Sequence, residues 1–501
     1  MDLFTEATLS AYFPGLVDVC VNDDGELVYA IITKDGELIF TQEYTTGTEV
    51  FSIPEKKHFP FMLPRASKVE GFFNYENDCY LYDDIISYLK RFSALDDGQW
   101  SIIAHYIFLT YLHDHPGIDY CPCILFNAVP ERGKSRTGKS MIYVAFRGIH
   151  LIELREATIF RYCQNLHGTL FFDLMDITKK AARGNCEDIL LGRYEKGSTC
   201  NRVLRPDQGP FNDMDYFETY GPTLIASNEQ LDKILETRCL PINMPNSPGN
   251  YENPRPEYGL LLKERLTAWR AKHILITFDD IKPIEGITGR LWDITKPLFL
   301  VNRLLPVENQ ILEDSMLAIA GERDQSRKET LEGRLVSVIK EITEENGLDG
   351  FLEWTITINE IRSKFNEGRP EDRHVSPQWI GKRLKSMSLN SRSIHGYSEI
   401  KISSQEYETL LKQYGHMGRE SSKPTNSLPE KNEKYQEPLG VVGSGRQCEH
   451  CRPDFNSTEE REFYFENLRT LQEEGGRTDD EIEYLARKAL EEWRRCDDAP
   501  F

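Results

Sequence analysis

The first hundred residues change from strand-like to helical patterning. Short apolar runs fill positions 16 to 41 and are separated by Asp24-Gly25 and Asp35-Gly36. An Asp-Gly pair between apolar runs is a strong hairpin signal, so this region is predicted to be a small β-meander. From 83 to 112, apolar residues recur at the spacing of a helix, which predicts a pair of amphipathic helices. The first 115 residues carry no catalytic pattern and are expected to serve packing and assembly.

Apolar strands and helical segments alternate in the middle of the chain. Two of the apolar runs end in polar residues, Asp173 and Asn228. The strands are predicted at 121–129, 149–153, 169–176, 222–229 and 239–244, and helices at 141–146 and 158–166.

The last third begins with a helix, strand, helix, helix, strand order between 327 and 412, which is the order of a winged helix. Ser376 and Pro377 supply an N-cap and a first-turn proline for the second of the adjacent helices. Between 373 and 401 there are six Lys or Arg residues and one acidic residue. This basic stretch predicts DNA contact, although a solvated basic face or a protein-docking winged helix has the same pattern. The candidate DNA-binding residues are Gln378, Lys382, Arg383, Lys385 and Arg392.

The C-terminal region has two further parts. Residues 414 to 447 are rich in Ser, Pro, Gly, Asn and Lys and are predicted to be a disordered linker. Two capping boxes, which begin at Ser457 and Thr478, predict an acidic helical hairpin over 448–501. Cys448 and Cys451 form a C-x-x-C pair, but zinc binding requires a second pair and none follows.

Length and composition favour a cytoplasmic protein of about three domains. The net charge of −21 over 501 residues means that any contact with nucleic acid must be local, because phosphate binding requires clustered Lys and Arg. The odd number of cysteines, eleven, favours reduced thiols over a disulfide framework. No apolar run approaches the roughly 20 residues that a membrane span needs.

Residues 133 to 140, GKSRTGKS, match the phosphate-binding pattern G-x-x-x-x-G-K-[ST] at every defined position. The match follows an apolar strand and precedes a helical segment. In this pattern the backbone N–H groups and the helix N-terminus hold phosphates, Lys139 supplies a mobile charge and Ser140 holds Mg²⁺. The expected ATP-binding residues are Gly133, Lys134, Ser135, Arg136, Thr137, Gly138, Lys139 and Ser140.

Two later strand ends fit the same chemistry. Asp173 ends an apolar strand about 30 residues after the lysine, where a nucleotide hydrolase places the carboxylate that orients Mg²⁺. Asn228 ends a neighbouring strand and is expected to position the attacking water. Taken alone, Asp173 is equally consistent with an ordinary buried strand that ends in an exposed aspartate.

Together these residues resemble the AAA+ ATPases found as the helicase part of phage, plasmid and integrated-element replication proteins, which are related to superfamily 3 helicases. The resemblance covers about residues 70 to 412. It implies an α/β fold with a five-stranded parallel sheet and helices on both faces, a ring expected to be hexameric, and ATP-driven movement on single-stranded or forked DNA. The matching segments are 133–140, the strand that ends at Asp173, the strand that ends at Asn228, Thr237-Arg238-Cys239 and Gly289-Arg290.

The resemblance also implies roles for arginines outside the phosphate loop. Arg238 is expected to reach the nucleotide of the next subunit, and Arg290 to contact phosphate from a lid. Residues 197 to 220 lie where superfamily 3 relatives have a pore hairpin, which makes Arg202, Arg205 and Phe211 candidates for gripping and stacking on DNA. An ordinary surface hairpin fits this segment equally well.

The expected division of the chain follows from these features. The parts are a β-rich module at 1–65, a helical segment at 66–115, an ATPase core with its lid at 116–310, a winged helix at 327–412, a linker at 414–447 and an acidic helical tail at 448–501.

One departure from the AAA+ pattern bears on turnover. Leu174 stands where these enzymes usually have a glutamate that polarises water, and Asp176, Glu187 or Asp188 would have to replace it. The leading hypothesis is an ATP-dependent DNA helicase or translocase of a mobile element. The alternatives are a nucleotide-gated DNA-binding switch, as in an initiator or an antiviral factor, and an ATPase that acts on a protein. Because no primase motif is found, a separate primase is an expected partner of the acidic tail.

Overall fold

The computed structural model describes residues 7–47, 49–74, 78–129, 131–209, 211–229, 231–246, 249–348, 350–394 and 397–416. Most of the predicted linker, the helical tail and the Cys448 and Cys451 pair lie outside these residues. Among the helices in the described ranges, none is long and apolar enough to cross a membrane.

Two small sheets form the N-terminal region. The first is an antiparallel meander, in which Gly25 and Gly36 occupy the hairpin turns with φ of 84° and 83°. These turns lie at the two Asp-Gly pairs. The meander strands are β2 (Leu16–Val21), β3 (Leu27–Ile32) and β4 (Leu38–Thr41), and the second sheet has the order β1 (Thr8–Leu9), β6 (Glu49–Ser52), β5 (Glu43–Thr46).

Three helices lead from these sheets to the central domain: α1 (Ala66–Asn74), α2 (Leu81–Lys90) and α3 (Asp97–Leu112). Helix α3 begins at a capping box formed by Asp96 and Gln99. The prediction of an amphipathic helix is wrong for α3, because every residue from Trp100 to Leu112 is buried. Its outer faces are covered by α9 (Leu260–His273), α10 (Arg290–Asn302) and α11 (Gln310–Glu329).

The central domain is built on a five-stranded sheet in which all neighbouring strands are parallel. This confirms the sheet that the family resemblance implies. The strands lie in the order β13 (Cys239–Asn243), β7 (Cys123–Asn127), β12 (Thr223–Ser227), β9 (Leu170–Asp173), β8 (Ile149–Leu151).

Alternate residues of these strands enter different hydrophobic cores, as the period of two in a strand requires. Phe126 and Phe171 face a core shared with α3 and with α4 (Lys134–Ile142). Phe172 and Ile225 face a second core, which is shared with the N-terminal strands. The other elements of this domain are α5 (Glu156–Leu166), α6 (Ile177–Arg183), α7 (Glu187–Gly192), α8 (Lys233–Glu236) and the hairpin of β10 (Thr199–Val203) and β11 (Met214–Glu218).

Buried ion pairs join the N-terminal meander to the central domain. Arg147, which follows α4, pairs with Asp18 of β2 at 2.8 Å, and both side chains are almost completely buried. Arg270 of α9 pairs with Asp114 at 2.6 Å and donates to the carbonyl oxygens of Leu16 and Val17. The meander is therefore packed into the domain that follows it.

The last described unit has its own core. It contains a three-stranded antiparallel sheet with the order β14 (Glu353–Thr357), β16 (Tyr397–Ser403), β15 (Ser391–Ile394). The other elements are α12 (Leu331–Glu345), α13 (Ile358–Asn366), α14 (Pro377–Ser386) and α15 (Ser404–Gln413).

Candidate nucleotide-binding site

The carboxyl ends of β7, β9 and β12 lie side by side at one edge of the central sheet. Ser227 is paired in register with Asn127, and Ala226 with Asp173. Open parallel sheets bind ligands outside the carboxyl ends of their strands. The loops that follow these strands therefore form the candidate site.

The expected phosphate loop over 133–140 has to be corrected. Helix α4 begins at Lys134, so Gly138, Lys139 and Ser140 lie inside the helix and not in the loop before it. Ser140 is completely buried, and its hydroxyl donates to the carbonyl oxygen of Thr137 at 2.8 Å. A side chain held in this way is not placed to bind Mg²⁺.

The loop geometry expected of the motif is found instead in a second, partial match to the pattern that begins five residues earlier. Residues 128 to 135, AVPERGKS, have the same G-K-S ending, with Ala128 in the place of the first glycine. Gly133 caps α4 with a left-handed φ of 82°, a conformation that glycine adopts without strain. The next two residues, Lys134 and Ser135, form the first turn of the helix, where free N–H groups and the helix dipole favour an anion.

Lys134 and Ser135 are both held at this edge. The Lys134 ammonium donates to the carbonyl oxygens of Ala128 and Val129, both at 2.8 Å. The Ser135 hydroxyl donates to Oδ1 of Asp173 at 2.8 Å. The structure thus brings a lysine, a hydroxyl and the predicted carboxylate together.

Two of the remaining residues of the expected loop, Gly138 and Thr137, have packing roles. Gly138 lies against Phe171 of β9, so closely that a Cβ would be 2.1 Å from Cζ of the ring. The Thr137 hydroxyl donates to that of Ser93 at 2.8 Å. Lys139 is partly exposed, and its charge contributes to the low pKa of Asp173.

The electrostatics keep Asp173 ionised. The contact with the His150 imidazole lowers the pKa of Asp173 most, and the Ser135 hydrogen bond and the Lys139 charge act in the same direction. Burial opposes them. Burial also lowers the pKa of Lys134, while the Asp173 charge raises it.

The donor set suits magnesium. Mg²⁺ prefers hard oxygen ligands and is usually held through one or two protein oxygens together with substrate phosphates. The Ser135 hydroxyl and the Asp173 carboxylate are such ligands, and their 2.8 Å contact shows that both reach one point. Asp173 keeps its expected position, whereas Ser135 takes the place expected of Ser140.

Two of the residues expected to act on water, Asn228 and Asp176, follow β12 and β9 at the same edge. Leu174 is buried in the core on the face opposite α4, so this position offers no carboxylate. Asn228 and Glu229 are exposed after β12. Asp176 and Glu229 each follow, by three residues, a member of the Asp173–Ala226 register pair. The Nζ atom of Lys179 lies 3.7 Å from Asp176 and 3.9 Å from Glu229. Glu187 and Asp188, the other candidates, are exposed on the first turn of α7.

Arg238 and Arg290, which are expected to contact phosphates, lie at the opposite end of the strands from the candidate site. Arg238 precedes β13, donates to the carbonyl oxygen of Leu191 at 2.8 Å and lies 4.5 Å from the centre of the Tyr194 ring. Arg290 donates to the Thr237 hydroxyl at 3.1 Å. The five-residue strand β13 separates this edge from the carboxyl edge by about 16 Å.

Arg290, expected to contact phosphate from a lid, lies beside Thr237 and away from the phosphate loop of its own chain. The reason is that α10 packs along α3 in the core and does not cover the phosphate loop. A third arginine, Arg323 of α11, donates to the carbonyl oxygen of Cys239 at 2.8 Å. Among the described residues, none of the three arginines forms an ion pair with a carboxylate. We call Arg238, Arg290 and Arg323 the arginine cluster.

The hairpin of β10 and β11 brings part of the predicted DNA-contact set to its tip. Phe211 is 96% exposed. Arg205 lies near the tip, 3.4 Å from Asp215. Arg202, one register pair before the loop end of the hairpin, is paired with Glu156 of α5, so its charge is already partly compensated.

Helix α14 presents a basic face. Gln378, Lys382 and Lys385 are exposed at positions i, i+4 and i+7, which share one side of a helix. Arg383 does not belong to this face, because it pairs with Glu332 of α12 at 2.6 Å. Arg392 is exposed on β15, opposite Glu399 of β16.

No protein-family model matches the sequence, and no curated protein matches it. Matches among solved structures include an active helicase, Cch, of SCCmec type IV, with 12% identity, a TM-score of 0.31, and coverage of 77% of this chain and 78% of the other. The apo C-terminal region of NrS-1 matches with 10% identity and a TM-score of 0.32, over 77% and 96% of the two chains. Cdc6p from Pyrobaculum aerophilum matches with 12% identity and a TM-score of 0.19, over 66% and 98%. Because these TM-scores lie below 0.5, the functional assignment rests on the geometry of this chain.

Sequence reasoning missed three features of these sites. The motif pattern favours residues 133–140 over 128–135 because G-K-S occurs twice, at 133–135 and at 138–140, and only the second has glycine at the first motif position. His150 stands in a short apolar strand with no motif around it. Arg323 joins the arginine cluster only through the packing of α11. The second G-K-S sequence is the one signal of these features that the sequence shows.

Proposed function

We propose that this protein is a magnesium-dependent ATPase that acts on DNA as a helicase or translocase. The observation that carries the proposal is the arrangement of Lys134, Ser135 and Asp173 at the carboxyl edge of the sheet. Lys134 rests on two loop carbonyls, and Ser135 is hydrogen-bonded to Asp173. P-loop NTPases use the same parts: a mobile cation and a hydroxyl where a loop joins a strand to a helix, and a carboxylate from another strand.

The residues of this site have separate tasks in binding ATP. The N–H groups at the start of α4, next to Gly133, are placed to receive phosphate oxygens. Lys134 would exchange its bonds to the Ala128 and Val129 carbonyls for the phosphates. Ser135 and Asp173 would hold Mg²⁺, whose chemistry is to neutralise charge on the phosphates.

Hydrolysis requires a residue that orients water. Asn228 and Asp176 lie after neighbouring strands at the edge that carries Asp173, and we assign them this role in place of the missing glutamate. Asp176 is partly exposed and lies 3.7 Å from the Lys179 ammonium, so we expect it to act on water less efficiently than the missing glutamate and turnover to be slow.

We further propose that the arginine cluster acts on the nucleotide of a neighbouring subunit in a ring, expected to be a hexamer. Arg238 and Arg290 lie about 16 Å from their own phosphate edge, so they are poorly placed to act within one chain. Three guanidinium groups without carboxylate partners among the described residues suit a polyphosphate.

DNA contact is assigned to two surfaces. The hairpin tip supplies Arg205 for the backbone and Phe211 for base stacking. In the last described unit, which we interpret as a winged helix, α14 supplies Gln378, Lys382 and Lys385. Arg202, Arg383 and Arg392 are assigned supporting roles, since the first two are already paired with glutamates. A primase remains the proposed partner of the acidic tail.

The test is ATP turnover by the purified protein without DNA, with single-stranded DNA and with forked DNA. We expect stimulation by DNA that is lost in Ser135→Ala. Thermal melting of this variant separates a lost site from a lost fold. Turnover that does not respond to DNA would contradict a motor.

One observation favours a second function. Leu174 is buried, so the carboxylate that most AAA+ enzymes place there is missing. A nucleotide-gated DNA-binding switch would tolerate this loss. Such a switch would show ATP-dependent DNA binding and no DNA-stimulated turnover.

A further inference from the structure

His150 lies beside the phosphate site on the edge strand β8. It is paired in register with Phe171 of β9, whereas its neighbours Ile149 and Leu151 point into the core on the other face. Because side chains alternate along a strand, His150, Phe171 and Asp173 share the face that α4 covers. The His150 ring stacks on Phe171, with centroids 5.3 Å apart and planes 25° apart.

The imidazole is aimed at Asp173. Nε2 of His150 lies 3.6 Å from Oδ2 of Asp173, and each side chain is 23% exposed. Nε2 itself is shielded from solvent and has no hydrogen-bond partner within the described residues. A buried polar nitrogen without a partner is unfavourable, and a movement of about 0.7 Å would bring Nε2 to hydrogen-bond distance of the carboxylate.

The two oxygens of Asp173 thus face different neighbours. Oδ1 accepts the Ser135 hydroxyl at 2.8 Å, and Oδ2 faces His150. A carboxylate that is held at both oxygens cannot rotate about its last bond. Groups of this kind, which orient a metal ligand without touching the metal, commonly change metal affinity by about 10- to 100-fold.

We propose that His150 is a positioning residue that holds Oδ2 of Asp173 through Nε2–H and so fixes the carboxylate for the Mg²⁺ of the bound nucleotide. The inference rests on the proposed function, since it requires a Mg²⁺–nucleotide site at Ser135 and Asp173. It adds to that function a residue from a strand that carries no part of the nucleotide-binding motif.

The competing explanation is that His150 only packs on Phe171. Two substitutions separate the explanations. His150→Phe keeps an aromatic ring over Phe171 and removes the donor, whereas His150→Gln keeps an amide donor near the position of Nε2 and removes the ring.

The measurement is the binding of a fluorescent ATP analogue to the full chain while Mg²⁺ is titrated, with a parallel titration in EDTA. We expect His150→Phe to bind the analogue in EDTA as the wild type does but to need about tenfold more Mg²⁺ for the magnesium-dependent gain. His150→Gln should recover most of that loss. A Mg²⁺ requirement that is unchanged in His150→Phe, or raised as much or more in His150→Gln, would overturn the proposal.

The wild type and Ser135→Ala separate failure of the inference from failure of the proposed function. If the wild type shows no magnesium-dependent binding of the analogue, the nucleotide site itself is refuted and the inference with it. If the wild type shows that binding, Ser135→Ala loses it and both His150 variants behave as the wild type, only the role of His150 is refuted.

Discussion

Ser135 and Asp173 meet across 2.8 Å, although 38 positions separate them in the chain. The hydroxyl comes from the first turn of α4 and the carboxylate from the end of β9. Their contact places the start of that helix over the second strand from the edge of the sheet. It also identifies which of the two G-K-S sequences faces the carboxyl edge, and with it the residues on which a nucleotide would depend.

The packing of α4 on β9 predicts a strong effect of Gly138→Ala. The added Cβ would lie 2.1 Å from Cζ of the buried Phe171 ring, so helix or strand must shift. We expect a loss of about 1–3 kcal/mol in the free energy of unfolding, measured by urea denaturation. Gly321→Ala on α11 is the matched control, because nothing lies within 4 Å of its added Cβ, and it should gain up to about 1 kcal/mol. Equal stability of the two variants would refute the close packing.

The Asp18–Arg147 pair predicts that the N-terminal meander is part of the stable core. Asp18→Asn leaves the buried Arg147 guanidinium without its counter-charge, which should cost about 3–5 kcal/mol in the free energy of unfolding. The exposed Glu153–Arg155 pair has a similar distance of 2.9 Å, and Glu153→Gln should cost no more than about 1 kcal/mol. A small loss in Asp18→Asn would mean that the meander is only loosely attached.

His113 predicts an acid-sensitive fold. Burial lowers the pKa of His113 to about 4, and its Nε2 is without a partner among the described residues. In the unfolded chain the pKa is about 6.5, so unfolding takes up a proton between these values and stability falls as the pH drops from about 6.5 to 4. The full shift corresponds to about 3 kcal/mol.

The check is urea denaturation at several pH values. His113→Gln should show a shallower decline of unfolding free energy between pH 6.5 and 4 than the wild type, whatever its stability at neutral pH. The same slope in both proteins would show that His113 does not titrate on unfolding.

The exposed face of α14 predicts a local, salt-sensitive contact with DNA. The double variant Lys382→Ala, Lys385→Ala should bind DNA more weakly, and its plot of log affinity against log salt should be shallower by about 2. The pair Lys56→Ala, Lys57→Ala removes the same charge from an exposed N-terminal turn and serves as control. An equal change in both variants would indicate non-specific attraction and not a binding face.

Much of the central sheet could be predicted from the sequence because its strands are short apolar runs with polar ends. Asp173 and Asn228 were located by that rule alone. The C-terminal helices were equally visible, since Ser376 does cap α14 by accepting the Trp379 N–H.

The predictions that failed concern features that depend on tertiary packing. The prediction of an amphipathic helix fails for α3 because three helices cover the faces that it would otherwise expose to solvent. Arg290 does open a helix as predicted, but that helix lies on α3 and directs the arginine to Thr237. The start of α4 depends on Gly133 with φ of 82°, a backbone choice that the motif spacing does not reveal.

The register of the phosphate site is tested most directly by ATP binding to Lys134→Ala and Lys139→Ala, each checked for folding by thermal melting. The two lysines are five residues apart on α4, so the variants lose the same charge at neighbouring positions. We predict that Lys134→Ala loses about tenfold or more in affinity, as expected for one charged hydrogen bond to phosphate, and that Lys139→Ala binds nearly as well as the wild type. The reverse result would contradict the assignment of Lys134 and Ser135 and return the site to residues 138 to 140.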